Sequence, residues 1–374
     1  MNSIGCKIGY VVADLKRVGP TNQTLNIIRY SGAIENCVVI TLFDESNDTQ
    51  IDEYLDLGID VKCLHLSRKT ALINGAQVLK KALAENDVNI VHSWGTFADI
   101  ISFYACKKAN IKHMLTLRNF PVEEMTTRMN YFLGMAVALL DLHILKNCKN
   151  VVCCSKSIKK KMEDTYGWTH LSSIQNGVDF NKFSVRQKDA VRNELGVEKD
   201  DRIFISTGSM IPRKRIHETA EAFVKANLPS NVKLWFLGDG NLLESLKEKY
   251  KSNKNICFLG KQSDVAYFLS AADVFVSSSE SEGMPNAVLE AISCKLPVYL
   301  SDIPQHLEVL DAVENCGISY KLGNTDELAM LFVNTDDNKI LDMSTATENL
   351  LSSDLTMENM GRKYERYYQR ILQS

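Results

Sequence analysis

Short apolar runs rich in β-branched residues recur along the chain at CKIGYVV, NCVVITLF, VKCLHL, VNIVHSW, IKHMLTL and KNVVCCS. After Asn176 they restart as RIFISTG, VKLWFLG, NICFLG, ADVFVSS and LPVYLS. Amphipathic helical stretches such as ALINGAQVLKKALAEN separate them. Near-continuous apolar strands alternating with helices predict α/β structure, with parallel sheets covered on both faces. Two successive series predict two Rossmann-like domains with a ligand cleft between them. YFLGMAVALLDLHILK approaches a membrane span but carries Asp141 and His143 and falls short of ~18 clean apolar residues. It reads as a buried helix. TMENMGRKYERYYQRIL reads as the last helix.

The stretch SSSESEGMPNAVLEAISCKLPVYLS holds the richest local chemistry. The apolar AADVFVSSS ahead of it reads as a buried strand entering a turn. Gly283 frees the backbone, Pro285 suits a first helical position, and the helix runs from Asn286 to Cys294. Asn286 and Glu290 are four apart and share one helix face. Glu282 lies on the loop before them. Two carboxylates at a helix mouth suit a ligand with both hydroxyls and phosphates: the carboxylates take the hydroxyls and the helix N-terminus takes the anion.

A chain of 374 residues suggests about two domains, and 45% hydrophobic with 24% charged residues suits a soluble protein with a sizeable core. The ten cysteines form no C-x-x-C pair and predict reduced thiols in a cytosolic protein. The opening MNSIGCKIGYVVADLKR has an apolar run too short and too early for a signal peptide. Basic residues exceed acidic ones in residues 1–170 and are outnumbered after them, with lysines concentrated in CKKANIKH and SKSIKKKMED. These form either a solvated helix face or a basic surface that rests on anionic lipid, where each Lys contributes roughly 1 kcal/mol. Nucleic acid is not an expected partner, because the basic residues lack aromatic interleaving.

The E-x7-E spacing of Glu282 and Glu290, the EGMPN loop and the ADVFVSSS strand together resemble the family-4 retaining glycosyltransferases. The resemblance implies the GT-B fold, with two Rossmann-like domains facing a cleft and a C-terminal helix crossing back to the first. Residues 1–178 would form the acceptor-side domain, 179–354 the nucleotide-sugar domain and 355–374 the returning helix. SSIQNGVDFNKF resembles the family's interdomain connection. Glu282 would contact the donor sugar and Glu290 the nucleotide ribose. Gly283, Met284, Pro285 and Asn286 would complete the donor loop.

Three further constellations follow from the same resemblance. In FISTGSMIPRKRIHE, Gly208 ends a strand and Lys214 matches the family lysine on the diphosphate. Ser209 stands where the family usually has an arginine, and Arg213 or Arg215 would compensate; otherwise these cations are solvated helix-start residues. The LGDGNLLESL turn, with Gly238 and Gly240, resembles a largely structural turn. Lys261 and Gln262 stand where the family holds the base. In HMLTLRNFPVEEM, Arg118 occupies the place of a strand-end His that contacts the donor sugar, followed by Asn119 and Pro121. It would clamp a phosphate or a sugar carboxylate, or else pair with Glu123 or Glu124. His92 resembles another strand-end His, with a structural role favoured over a catalytic one. In VGPTNQT only Gly19 matches the family's Gly-Gly turn near the leaving phosphate.

The sequence has no D-x-D, G-x-S-x-G, P-loop or H-E-x-x-H motif. The expected activity is metal-independent retaining transfer without cofactor, from a nucleotide diphosphate sugar (UDP favoured, GDP possible) to an acceptor hydroxyl. The acceptor would be a lipid-linked saccharide, and the protein cytoplasmic, peripheral at the inner face of the cell membrane. A silent sugar-nucleotide-binding partner, an epimerase or a phosphorolytic enzyme on the same fold are the alternatives.

Overall fold

The computed structural model describes residues 6–373, so the first five residues of the leader reading lie outside the described residues. The chain divides into two compact units, one of residues 1–176 with 357–374 and the other of residues 177–356.

The first unit holds seven parallel strands: β1 (Ile8–Val12), β2 (Cys37–Thr41), β3 (Asp60–Cys63), β4 (Ile90–Ser93), β5 (Lys112–Leu117), β6 (Asn150–Cys153) and β7 (Leu171–Ser173). Their order is β3-β2-β1-β4-β5-β6-β7. Every residue of β1, β2 and β4 is buried, as helices on both faces require. The second unit holds six: β8 (Arg202–Thr207), β9 (Val232–Leu237), β10 (Ile256–Gly260), β11 (Val274–Ser277), β12 (Val298–Ser301) and β13 (Gly317–Tyr320), ordered β10-β9-β8-β11-β12-β13. Strand order reverses between β1 and β4 and again between β8 and β11. At such a point successive loops leave in opposite directions and open a crevice at the carboxyl ends of the strands.

Two strands escaped the sequence pattern. β7 and β13 are short edge strands, LSS and GISY, without a β-branched run. In β13, Gly317 is required because a Cβ there would lie 2.2 Å from the Val298 carbonyl oxygen.

The helix Tyr131–Asn147 corrects the expectation of a buried helix. One side packs against the helices Thr96–Ala109 and Pro121–Arg128. Gly134 allows the second crossing, since a Cβ there would fall 2.5 Å from the Met125 carbonyl oxygen. The other side leaves Tyr131, Phe132, Leu133 and Leu139 exposed, Phe132 at 85%. An apolar-all-round sequence does not reveal which side is covered. No helix among the described residues is long and apolar enough to cross a membrane.

The last helix, Met357–Gln373, belongs to the first unit. Its buried residues Met357, Met360, Gly361, Tyr364, Tyr367, Tyr368 and Ile371 follow helical spacing and form one stripe. Gly361 sits against Tyr30 at the end of the helix Gly19–Tyr30, where a Cβ would lie 2.1 Å from the Tyr30 carbonyl oxygen. Burial of Met360 or Ile371 contributes roughly 1.5–3 kcal/mol each. Tyr368 reaches the sheet core and its hydroxyl lies 3.0 Å from that of Tyr10.

Candidate functional site

In the second unit the loops after β8 and β11 leave from the reversal point and meet. The loop after β8 closes into a short 3₁₀ turn, Pro212–Lys214, before the helix Ile216–Ala226. The Glu280 N–H donates to the Arg213 carbonyl at 3.0 Å, which ties the two loops together. Lys214 Nζ then donates to Glu282 Oε1 at 2.5 Å, and Arg213 Nη1 to Glu282 Oε2 at 3.1 Å. Glu282 is only 8% exposed. Burial alone would raise its pKa, but Lys214 and Arg213 outweigh it and hold the carboxyl at about 2. A lowered value means this ion-pair stabilisation is complete above the ordinary carboxylate range and is lost as pH falls toward 2.

The structure separates the two arginines that the sequence left equivalent. Arg213 stands on Glu282. Arg215, in left-handed backbone at φ 47°, gives its guanidinium to buried Glu218 and to Glu280, the latter at 3.0 Å. It is committed to the framework. Ser209 is exposed and extends no cation into the loop.

Glycines set the floor of this site. The Gly208 N–H donates to the Leu237 carbonyl at 2.9 Å, and the Gly238 N–H to the Gly260 carbonyl at 2.8 Å. A Cβ on Gly238 would lie 1.8 Å from the Gly208 carbonyl oxygen, and one on Gly240 would lie 2.4 Å from that of Met210. The turn therefore acts through close backbone approach. Lys261 is exposed, and Gln262 folds its side-chain amide back onto the Leu259 carbonyl at 2.6 Å.

Beyond Glu282, Gly283, Met284 and Pro285 are buried. The helix runs Asn286–Ser293, with Pro285 as its N-cap and Cys294 as its C-cap. Pro285 thus stands one position before the first helical residue expected of it: its ψ of 77° is not helical. Glu290 faces poorly solvated surroundings that push its carboxyl up to about 7, against the opposing pull of Lys182 and Lys214. Sequence reasoning passed over Lys182, which sits in NGVDFNKF. It also passed over His306, buried on the helix Pro304–Ala312 with Nδ1 3.0 Å from Ser301 Oγ. Burial lowers His306 to about 4, so it is neutral beside Glu282 at physiological pH. An isolated histidine in an apolar segment gives no signal in sequence.

In the first unit Arg118 follows β5. It pairs with neither Glu123 nor Glu124: the first takes Lys161 and the second takes Arg128 at 2.7 Å. Its guanidinium carbon lies 5.3 Å from the centroid of the Trp94 ring. Asn119 is partly buried beside it, and both line one cavity with Pro20. Gly19 is exposed at the start of the helix Gly19–Tyr30.

His92 is held inside the framework of the first unit. It is fully buried, with Nδ1 2.8 Å from the Tyr368 hydroxyl and Nε2 2.7 Å from Thr116 Oγ1. Burial holds its pKa well below the ordinary value, so the ring is neutral and both nitrogens are occupied. Among the described residues one trio has metal-type donors gathered within 4.8 Å: Asp44, Cys63 and His65, at the β3 edge and largely exposed. It shares no residue with either cluster above.

Comparison with known proteins agrees with this architecture. Residues 187–334 match the model of glycosyl transferases group 1, and residues 36–182 match that of glycosyltransferase family 4. The chain is 26% identical over 377 residues to the O-antigen biosynthesis glycosyltransferase WclY of Escherichia coli, with 98% of each chain covered. It is 28% identical over 277 residues to the E. coli UDP-Gal:alpha-D-GlcNAc-diphosphoundecaprenol alpha-1,3-galactosyltransferase, covering 71% of this chain and 70% of that one. Among solved structures, Anabaena HepE in complex with UDP and glucose superposes with a TM-score of 0.84 at 16% identity, covering 98% of this chain and all of that one. Sucrose-phosphate synthase from Thermosynechococcus elongatus gives 0.83 at 16% identity, with 98% and 99% covered. With residues 36–182 and 187–334 matched by these two models and the GT-B architecture of its two units, the chain is a glycosyltransferase.

Proposed function

We propose that this glycosyltransferase is retaining and metal-independent, and that it moves a sugar from a UDP-sugar to a hydroxyl of a lipid-linked saccharide in surface-polysaccharide assembly. The observation that carries the reading is the buried Glu282 carboxylate gripped by Lys214 and Arg213 where β8 and β11 diverge. A nucleotide-sugar presents two partners to such a site. Its diphosphate would draw Lys214 and Arg213, which frees the Glu282 oxygens to accept sugar hydroxyls. The two cations then stabilise the departing diphosphate electrostatically, without a metal ion. UDP is favoured as the nucleotide because HepE was solved with UDP and the galactosyltransferase relative is named for UDP-Gal. The latter's named acceptor, a diphosphoundecaprenol, supports a lipid-linked one here. No side chain is assigned as acceptor base; the leaving phosphate oxygen serves in a front-face displacement. The boundaries expected of acceptor-side and donor-side domains are proposed on the same footing.

The test is a panel of UDP-, GDP- and ADP-sugars incubated with the protein without added metal, read as released nucleoside diphosphate. Slow turnover of one donor, lost in Glu282→Ala, is expected. Failure of every donor to bind overturns the reading. Binding without turnover across acceptors would favour a silent partner. A changed sugar on the nucleotide in the absence of acceptor would favour an epimerase.

Glu290 gives the reading a pH signature. Its raised value means the protonated form favours the folded state, and that contribution is lost as pH rises through 7. The ionised form is the better acceptor for ribose hydroxyls. UDP affinity should therefore increase between about pH 6 and pH 8, and Glu290→Gln should flatten the increase. Calorimetric titration at several pH values measures it, and an unchanged slope in the variant removes Glu290 from the ribose.

Contact with a membrane rests more on apolar than on basic side chains. Lys159, Lys160 and Lys161 are paired with Glu163, Asp164 and Glu123. The exposed Tyr131, Phe132, Leu133 and Leu139 offer an uncovered apolar face instead. Phe132→Ser with Leu139→Ser should reduce co-sedimentation with anionic vesicles severalfold, with the thermal midpoint unchanged. Equal sedimentation of the variant rules out this face as the lipid contact.

A further inference from the structure

The first unit encloses a cavity of about 160 Å³ whose lining includes Trp94, Thr96, Asp99, Arg118, Arg128 and Asp141. Two of these groups carry buried polar atoms without a partner. Arg118 Nε and Nη2 make no hydrogen bond, and neither does Asp141 Oδ1. Nε and Nη2 form one edge of the guanidinium, the geometry that takes two oxygens of a planar carboxylate or of a phosphate. Thr96 Oγ1 donates to the other Asp141 oxygen at 3.2 Å and so fixes the carboxyl group. The nearby acid Glu124 is occupied by Arg128, and Asp99 accepts from Ser93 at 2.6 Å. Trp94 supports the guanidinium from one face. Buried polar atoms are nearly always satisfied, so a cationic edge and a carboxylate oxygen left open on one cavity describe a ligand with complementary groups. Burial pushes the Asp141 carboxyl up to about 7, the behaviour of a group poised to exchange hydrogen bonds with a hydroxyl.

We propose that this cavity is a subsite for an anionic, hydroxylated group of the acceptor, with its oxyanion on the Arg118 Nε–Nη2 edge and a sugar hydroxyl donating to Asp141 Oδ1. The proposal rests on the glycosyltransferase reading above, and names the acceptor chemistry that the first unit selects. The oxyanion is either the phosphate through which a saccharide is linked or the carboxylate of a sugar acid. A neutral saccharide would leave the guanidinium edge underused, and inorganic phosphate on that edge brings no sugar hydroxyl to Asp141.

Titrating the full chain with N-acetylglucosamine 1-phosphate, glucuronate, methyl α-N-acetylglucosaminide and inorganic phosphate, followed by saturation-transfer NMR or calorimetry, tests both halves. One of the two anionic sugars should bind at least about tenfold more tightly than both the neutral sugar and inorganic phosphate, a margin of about 1.4 kcal/mol. Which one wins distinguishes phosphate from carboxylate. Arg118→Lys, which keeps the charge but not the edge, and Asp141→Ala should each erase that margin. UDP affinity should be unchanged in Asp141→Ala. Equal binding of all four probes, or of none while UDP still binds, overturns the subsite. Failure of the wild-type chain to bind any nucleoside diphosphate would instead overturn the glycosyltransferase reading. The comparison of probes on the wild-type protein decides the matter even where a variant does not fold.

Discussion

Glu282→Ala and Lys214→Ala are each expected to lower sugar transfer by well over tenfold, a loss above ~1.4 kcal/mol of transition-state stabilisation. In the unliganded protein these groups neutralise each other across 2.5 Å. Removing Glu282 strands two partly buried cations, and removing Lys214 leaves the carboxylate with Arg213 alone. Breaking one side of a buried pair destabilises by about 3–5 kcal/mol in other proteins, so activity alone would be ambiguous. The thermal midpoint should be followed with turnover. Glu282→Gln preserves volume and hydrogen-bonding capacity, and should recover part of the midpoint while activity stays low. In the proposed mechanism Lys214→Ala should weaken binding of the nucleoside diphosphate, whereas Glu282→Ala should spare UDP and weaken the UDP-sugar. Near-normal turnover by either alanine variant would refute the assignment, whatever happens to stability.

The second large effect is structural. Gly238→Ala places a Cβ 1.8 Å from the Gly208 carbonyl oxygen, on backbone at φ 138° that side chains rarely adopt. The obstacle is main chain held in the sheet by the Gly208 to Leu237 hydrogen bond, so no flexible side chain can swing aside. The cost should be about 3 kcal/mol or more. Gly323→Ala is the control. Its φ of 83° is also positive, but nothing lies within 4 Å of the added atom, and a cost nearer 1 kcal/mol is expected. Trp235, buried on β9, is the one tryptophan of the second unit, while Trp94 and Trp168 belong to the first. Denaturant titration followed at Trp235, with Trp94 and Trp168 replaced by phenylalanine, reads the effect directly. UDP binding should fall in parallel, because Gly208 leads into the loop that carries Lys214. Equal midpoints for Gly238→Ala and Gly323→Ala would show that the strand ends relax around the intrusion.

Much of this protein was determined by the sequence alone. Buried parallel strands need apolar residues on both faces, so runs such as IGYVV, CVVIT and RIFIST announce themselves, and the alternation with helices fixes the α/β class. The resemblance to glycosyltransferases was legible too, because the E-x7-E spacing with its strand and loop is a local pattern. What tertiary structure alone decided depends on which groups meet. Arg213 and Arg215 are two residues apart in the same loop, yet one grips Glu282 and the other is spent on Glu218 and Glu280. His92 ends a strand as a ligand-binding histidine would, but the tyrosines of a helix more than 270 residues later enclose it. The first half of the helix Tyr131–Asn147 is apolar all round, and only its neighbours determine that Phe132 faces solvent. Asp141 and Arg118 drew attention separately, and their shared cavity exists because the end of β5 and that helix come together. Strand formation follows from the apolar pattern of a few adjacent residues. Ion pairing, burial and the shape of a cavity arise from contacts across the chain, where the physical reason lies in packing that local sequence does not encode.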